Sequence, residues 1–371
     1  MDRFLEIAND PIRYLKEELD GSDRKLAVTF SGIFPLELLD AMGFRAVWLP
    51  PILQSQYKQA DSMVQVFMCS RARSFVDVVA GHVLPVAAIG AVIDCDAKDV
   101  IPGVLKSGGY DIPVSTLRVP ISMEGSLAMD FAVNSVRQWV QEAPAVFNRT
   151  FDFELLARSC VIRSKVRSKI TELFQGIGTD VDPVFAYSAA VSSQVMGPEA
   201  FLNALNARPW PKPDERKGVP IILSGSELPH INIVRDLTTL GANILLDDTE
   251  TGVRAASRPE CQAQNEGDKI DTDRMLEAIG AGMIFQKHGP TKVTTAGTRL
   301  QGLVSSSMNR GVKVAILGLF KFCDPHAFEA PSIIEQFRMA GIRTLVIEVD
   351  KEKGLSAREK TRVQTLLESM E

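Results

Sequence analysis

The stretch VKVAILGLFKFCDPHAFEAP, Val312 to Pro331, decides how the rest of the chain is read. Val312 to Leu319 is apolar at nearly every position, the pattern of a strand with both sheet faces covered. Such strands are parallel, and a parallel neighbour is reached through a crossover, usually a helix. PSIIEQFRMAG supplies that helix: Pro331 opens it and Gly341 closes it. RTLVIEV, Arg343 to Val349, is the next strand. Between the first strand and the helix stands Cys323, with Asp324 to His326 as the turn that would aim it.

Working outward, the same alternation recurs. VPIILSG from Val219 and NILLDD, Asn243 to Asp248, are strands of the same series. An earlier series contains KLAVTF (Lys25–Phe30), RAVWL (Arg45–Leu49), AAIGAVID (Ala87–Asp94) and PVSTLRV (Pro113–Val119). PLELLDAMGF, with Pro35 and Gly43 at its ends, is the first crossover helix. From Phe151 to about Ala207 the apolar spacing turns helical, and RPWPKPDERKG, Arg208 to Gly218, reads as a surface linker. The expectation is an α/β protein: two Rossmann-like or flavodoxin-like domains with parallel sheets plus intervening helices. Residues 1–150 form the first domain with its leading helix, 151–217 the helical segment and linker, and 218–371 the second domain.

A chain of 371 residues is too long for one ordinary core, which agrees with that division. Apolar residues make up 45% and charged residues 23%, as in a globular protein. The net charge of −5 and the shortness of the basic runs argue against nucleic acid as a partner. MDRFLEIANDPIRYLKEEL at the N-terminus is amphipathic and lacks the parts of a signal peptide. No apolar run reaches the roughly 18–20 residues that span a bilayer. The expected location is the cytoplasm, with no membrane association.

Five cysteines, Cys69, Cys95, Cys160, Cys261 and Cys323, show neither disulfide nor CxxC spacing. Ligands of open parallel sheets bind beyond the carboxyl ends of the strands. Cys95 and Cys323 follow strands directly, and Cys69 in FMCSRARSF starts a helix beside Arg71 and Arg73. A helix start and guanidinium groups stabilise a thiolate. Cys160 and Cys261 fit simple packing. For the other three, packing, nucleophilic and ligand roles stay open. A nucleophile needs a base, and His326 stands three residues from Cys323. SGSELPH, Ser224 to His230, is either an anion-binding loop or an ordinary strand-to-helix turn. KHGPTK, Lys287 to Lys292, is read as a solvated loop in preference to a phosphate site.

KFCDPHAFEAP with FRMAGIRTLVIEVD and TRVQTLLESM resembles the C-terminal signature of the 2-hydroxyacyl-CoA dehydratase and benzoyl-CoA reductase family. FPLELLDAMGF, CSRARS, DCDAKD and ILSGSELPHINIVRDLTTLGANILLDD resemble its other segments, so the resemblance covers nearly the whole chain. It implies a [4Fe-4S] cluster between the domains, held by Cys69, Cys95 and Cys323, with one iron left open. It implies a subunit paired with a larger paralogue, or with itself, and served by an ATP-hydrolysing iron–sulfur activator. The implied activity is removal of water from a 2-hydroxyacyl-CoA by a ketyl-radical route after one-electron activation. A benzoyl-CoA-type ring reductase subunit and a non-catalytic electron relay are the alternatives. The length places the chain nearer the smaller, beta-type subunit. Ser31 lies near the position from which a hydroxyl could approach the open iron, although a turn serine is the favoured reading. After Cys95, AKDVIPGVLKSGG departs from the family pattern, which leaves the acyl group unspecified.

Overall fold

The computed structural model describes residues 2–214, 218–259, 261, 271–292 and 296–370, with side chains of 296–298 excepted. The linker residues 215–217 thus lie outside the described residues.

All eight expected strands form. The first sheet contains β1 (Leu26–Thr29), β2 (Arg45–Trp48), β3 (Val86–Val92) and β4 (Val114–Leu117), in the order β2-β1-β3-β4. The second contains β5 (Val219–Gly225), β6 (Ala242–Asp248), β7 (Val314–Phe320) and β8 (Arg343–Val349), in the order β6-β5-β7-β8. Every pairing is parallel. The two sheets therefore share one topology. In each, the order reverses beside the first strand, between β1 and β3 or between β5 and β7. A crevice opens there at the carboxyl ends of the strands. The apolar runs have the expected cause: β1 and β2 are buried at every residue.

Helices cover the sheets. Phe153–Gln175 and Pro183–Val195 form the expected helical segment. A third long helix, Gly125–Phe147, packs Val136 and Trp139 against Met275, Ile279 and Met283 of the helix Thr272–Phe285. Gly280 makes this crossing possible: a Cβ there would lie 2.7 Å from the Val133 Cα. No helix among the described residues is long and apolar enough to cross a membrane.

One helix boundary differs from expectation. The helix after β7 runs Asp324–Met339, so Pro331 lies inside it and does not open it. Pro325, in the first turn, is the initiating proline. Pro331 lacks the N–H that would bond the Ala327 carbonyl, a defect this helix absorbs eight residues in. Nor do Asp324 to His326 form the turn before the helix, because they are its first turn. The chain turns at Phe322, a non-glycine residue in the left-handed region at φ 62°.

Candidate functional site

Each of Cys69, Cys95 and Cys323 is the N-cap of a helix: Ser70–Ala80, Asp96–Asp99 and Asp324–Met339 respectively. Cys95 follows β3 and Cys323 follows β7. Cys69 comes from the long connection after β2, and that connection is tied to the second sheet. Ser70 N donates to Lys321 O at 3.4 Å, and Ser70 Oγ donates to Asp350 Oδ1 at 2.5 Å. The three cysteines thereby line one cavity, with about 500 Å³ of atom-free space, walled also by Phe30, Ala72, Phe320 and Pro325. None is in a disulfide; Cys69 is buried and the other two half-buried.

Four charged side chains line the same cavity: Arg71, Lys98, Glu227 and Glu250. Arg71 Nε donates to Glu227 Oε1 at 2.8 Å, and both side chains are buried. Arg71 also donates to Leu49 O at 2.6 Å and Phe30 O at 3.3 Å. Its Nη1 has no partner among the described residues. Burial opposes the Lys98 charge, yet Asp94, Glu250 and Cys95 outweigh it and hold the ammonium above its usual range. Lys98 reaches Asp94 at 3.0 Å.

Burial is the main influence on all three thiols. It pushes Cys69 up, although the amides of Ala72 and Arg71 and the charge of Lys98 oppose it. It pushes Cys95 up to about 11, with Lys98 opposing and Asp94 adding. Cys323 is raised by burial and then by Cys69, with Glu250 and Cys95 contributing less. Without a bound cation these are neutral thiols. Three thiolates would add three negative charges to a wall whose two cations and two carboxylates already balance. Only a positively charged core offsets that.

His326 Nδ1 lies 3.3 Å from Cys323 Sγ. Burial, Arg254 and Arg299 lower its pKa to about 3, so its imidazole is neutral. A base so weak, facing a thiol so hard to ionise, makes a poor Cys–His nucleophilic pair. The same neutral ring can donate a hydrogen bond from Nδ1 to a ligating sulfur.

Among the described residues no group of three or more His, Cys, Asp or Glu converges on a single ion. A cubane makes a different demand, since each thiolate takes a separate iron at a separate corner. Three thiols around one cavity, first-turn amides beside each sulfur, and the unpartnered Arg71 Nη1 fit a sulfur-rich cluster better than a lone cation.

The other expected site residues fall elsewhere. Ser31 is outside the cysteine cavity. Its Oγ donates to Asp94 Oδ2 at 3.3 Å, across the crevice between β1 and β3, one residue before Cys95. Cys160 and Cys261 are buried in the core that contains Trp139. They are neighbours, and neither lines the cavity of the other three thiols; Cys261 raises the Cys160 pKa through a thiol–thiol hydrogen bond. SGSELPH is a strand-to-helix turn: Ser226 N donates to Gly318 O at 3.0 Å and Leu228 N to Thr251 Oγ1 at 2.7 Å. The buried Glu227 carboxylate in it is taken up by Arg71. KHGPTK is not a solvated loop, because His288 and Lys292 are buried at 3% and 7% exposure. His288 reaches back to Ile284 O at 3.3 Å, and that bond carries the segment inward.

Fold and site together define a two-domain α/β protein with three thiols gathered at the carboxyl edges of two parallel sheets. The chain matches the family 2-hydroxyglutaryl-CoA dehydratase, D-component, over residues 32–370, and it belongs to that family. A stretch of 68 residues is 31% identical to the lactoyl-CoA dehydratase subunit beta of Anaerotignum propionicum, covering 18% of each chain.

Proposed function

We propose that this chain is the iron–sulfur subunit of a 2-hydroxyacyl-CoA dehydratase, in the smaller, beta-type role. Cys69, Cys95 and Cys323 would hold a [4Fe-4S] cluster through three thiolates. The observation that carries the reading is the lining of one cavity by three thiols far apart in sequence. A bound cluster would supply one-electron redox chemistry, with one iron left for a ligand from outside the chain.

The chain's own residues have definable parts. Asp94 and Lys98 bracket Cys95 and fix its loop. His326 orients Cys323. Phe30, Ala72, Phe320 and Pro325 keep water from the cavity. Exposed Val66, Phe67, Phe322 and Phe328 lie within five residues of Cys69 or Cys323. Apolar side chains so placed suit a partner, either the larger paralogous subunit or a second copy, and the ATP-hydrolysing activator. The substrate on this reading is an acyl-CoA thioester, and the compartment is the cytoplasm.

Anaerobically purified protein should contain about four irons and four sulfides per chain. Cys69→Ala, Cys95→Ala and Cys323→Ala should each lose them, while Cys160→Ala and Cys261→Ala should keep them. A Cys323→Ala protein with full iron content would overturn the ligand assignment. With partner subunit, activator, ATP and reductant, a 2-hydroxyacyl-CoA should lose water. Turnover of an aromatic acyl-CoA alone would favour the ring-reductase reading, and turnover of neither the relay.

A further inference from the structure

A second cavity, with about 640 Å³ of atom-free space, lies beside Ser31 and does not reach the cysteines. It sits between the helix Leu36–Asp40, the helices Phe153–Gln175 and Pro183–Val195, and the segment Ala255–Arg258. Phe34, Leu36, Val166, Ile170, Ala255 and Ala256 give it apolar walls. Its polar lining includes Glu37, Arg163, Arg167, Gln194, Trp48 and Arg258, besides the hydroxyl residues Ser31, Ser193 and Thr251.

The charges around it do not cancel. Arg163 Nε donates to Asp40 Oδ2 at 2.5 Å, Arg167 Nη1 donates to Glu37 Oε1 at 2.6 Å, and Arg258 Nη1 lies 3.6 Å from Glu37 Oε2. Three guanidinium groups thus pair with two carboxylates, leaving one positive charge over among these contacts; the exposed Glu199 acts on Arg163 from farther off. Arg258 has its remaining donors on Ile33 O at 2.7 Å and on Gln286 at 3.3 Å.

The hydrogen bonds do not close either. Gln194 is only 5% exposed, yet neither its Oε1 nor its Nε2 has a partner among the described residues. The Trp48 Nε1 and Arg167 Nε donors are likewise unpartnered, as is the Glu37 Oε2 acceptor, whose nearest cation is Arg258 Nη1 at 3.6 Å. Buried polar groups are nearly always paired, so an open set concentrated on one cavity marks a place built for something. Removing water from such groups without replacing its bonds costs stability.

We propose that this cavity binds a short-chain carboxylate anion, whose oxygens take the unpartnered N–H donors and whose hydrocarbon tail lies on the apolar walls. The single negative charge matches the single excess positive one. The site is separate from the cysteine cavity and does not depend on a cluster being held there.

Sodium butyrate is the probe, with butyramide as its uncharged counterpart of similar size, measured by calorimetry on the full-length protein. Butyrate should bind saturably at roughly millimolar concentration. Butyramide should bind about tenfold more weakly or worse, because it lacks the charge. Gln194→Leu should weaken butyrate about tenfold. Without butyrate that variant should melt no lower than wild type, since it removes unpaired polar atoms from the interior. A structural role for Gln194 predicts the opposite pair of results, a lower melting temperature with unchanged butyrate binding. That pair, equal affinity for butyrate and butyramide, or no saturable butyrate binding overturns the proposal.

Discussion

Cys95 and Cys323 occupy the same place in two copies of one topology. Each is the third residue past the third strand of its sheet, after Val92 in one and Phe320 in the other, and each caps the helix that follows. The crevice rule thus operates twice in the chain, and the two carboxyl edges bring their cysteines to one cavity. The prediction is that Cys95→Ser and Cys323→Ser behave alike. Serine is a good N-cap, so thermal stability should change by less than about 1 kcal/mol. Iron content, measured by colorimetric assay, should fall together in both. Retention of iron in one variant alone would break the equivalence.

Arg71 and Glu227 join the helix after Cys69 to the turn after β5. Arg71→Met leaves the Glu227 carboxylate buried and unpaired, and should cost about 3–5 kcal/mol in denaturant unfolding. The double variant Arg71→Met/Glu227→Met should recover most of this, because no uncompensated charge remains. A double variant as unstable as the single one would mean the guanidinium bonds to Leu49 and Phe30 matter more than the ion pair.

Gly280→Ala tests the crossing of the helices Gly125–Phe147 and Thr272–Phe285. The new methyl meets the Val133 backbone, so helix propensity favours the change but overpacking opposes it. Overpacking wins, with an expected loss of about 1–3 kcal/mol. A Gly302→Ala control, with nothing within 4 Å of its Cβ, should be neutral or stabilising. Equal effects at the two positions would dissociate the cost from the crossing.

His288 predicts a pH dependence. Burial lowers its pKa to about 4, with carbonyl bonds at Ile284 and Met283 opposing. The unfolded chain takes up that proton near pH ~6.5, while the folded one refuses it until about 4, so the unfolded state binds more protons in between. Stability must fall as pH falls through that window, by about 2 kcal/mol at pH 5 for this group alone. Asp247, raised to about 6 by burial, tilts the other way, so the readout is the difference between wild type and His288→Gln. The variant should show the shallower loss in melting temperature from pH 7 to 5. Parallel curves would leave His288 with no part in it.

The sheets were legible because each buried parallel strand must be apolar on both faces, and VPIILSG or VKVAILGL has few other readings. Pro331 misled because local rules place proline at a helix start, and Pro325 had already filled that role. KHGPTK misled because residue type alone cannot show that His288 finds a carbonyl inside. The meeting of Cys69, Cys95 and Cys323 depends on Ser70 reaching Lys321 and Asp350, contacts between segments about 250–280 residues apart that no local pattern encodes. Only the family resemblance anticipated it. Gln194 has no local signature, since a glutamine in a helix of small residues carries no signal until the helix has packed.

The thiol set also has an order in time. A growing chain that has emerged as far as Asn206 carries Cys69 and Cys95 with the whole first sheet, but not Cys323. The third thiol arrives only after β7, when the second sheet is nearly complete. On the proposed reading, cluster delivery must wait until most of the chain has left the ribosome. A fragment holding the first sheet alone should fail to retain the cofactor, however well it folds.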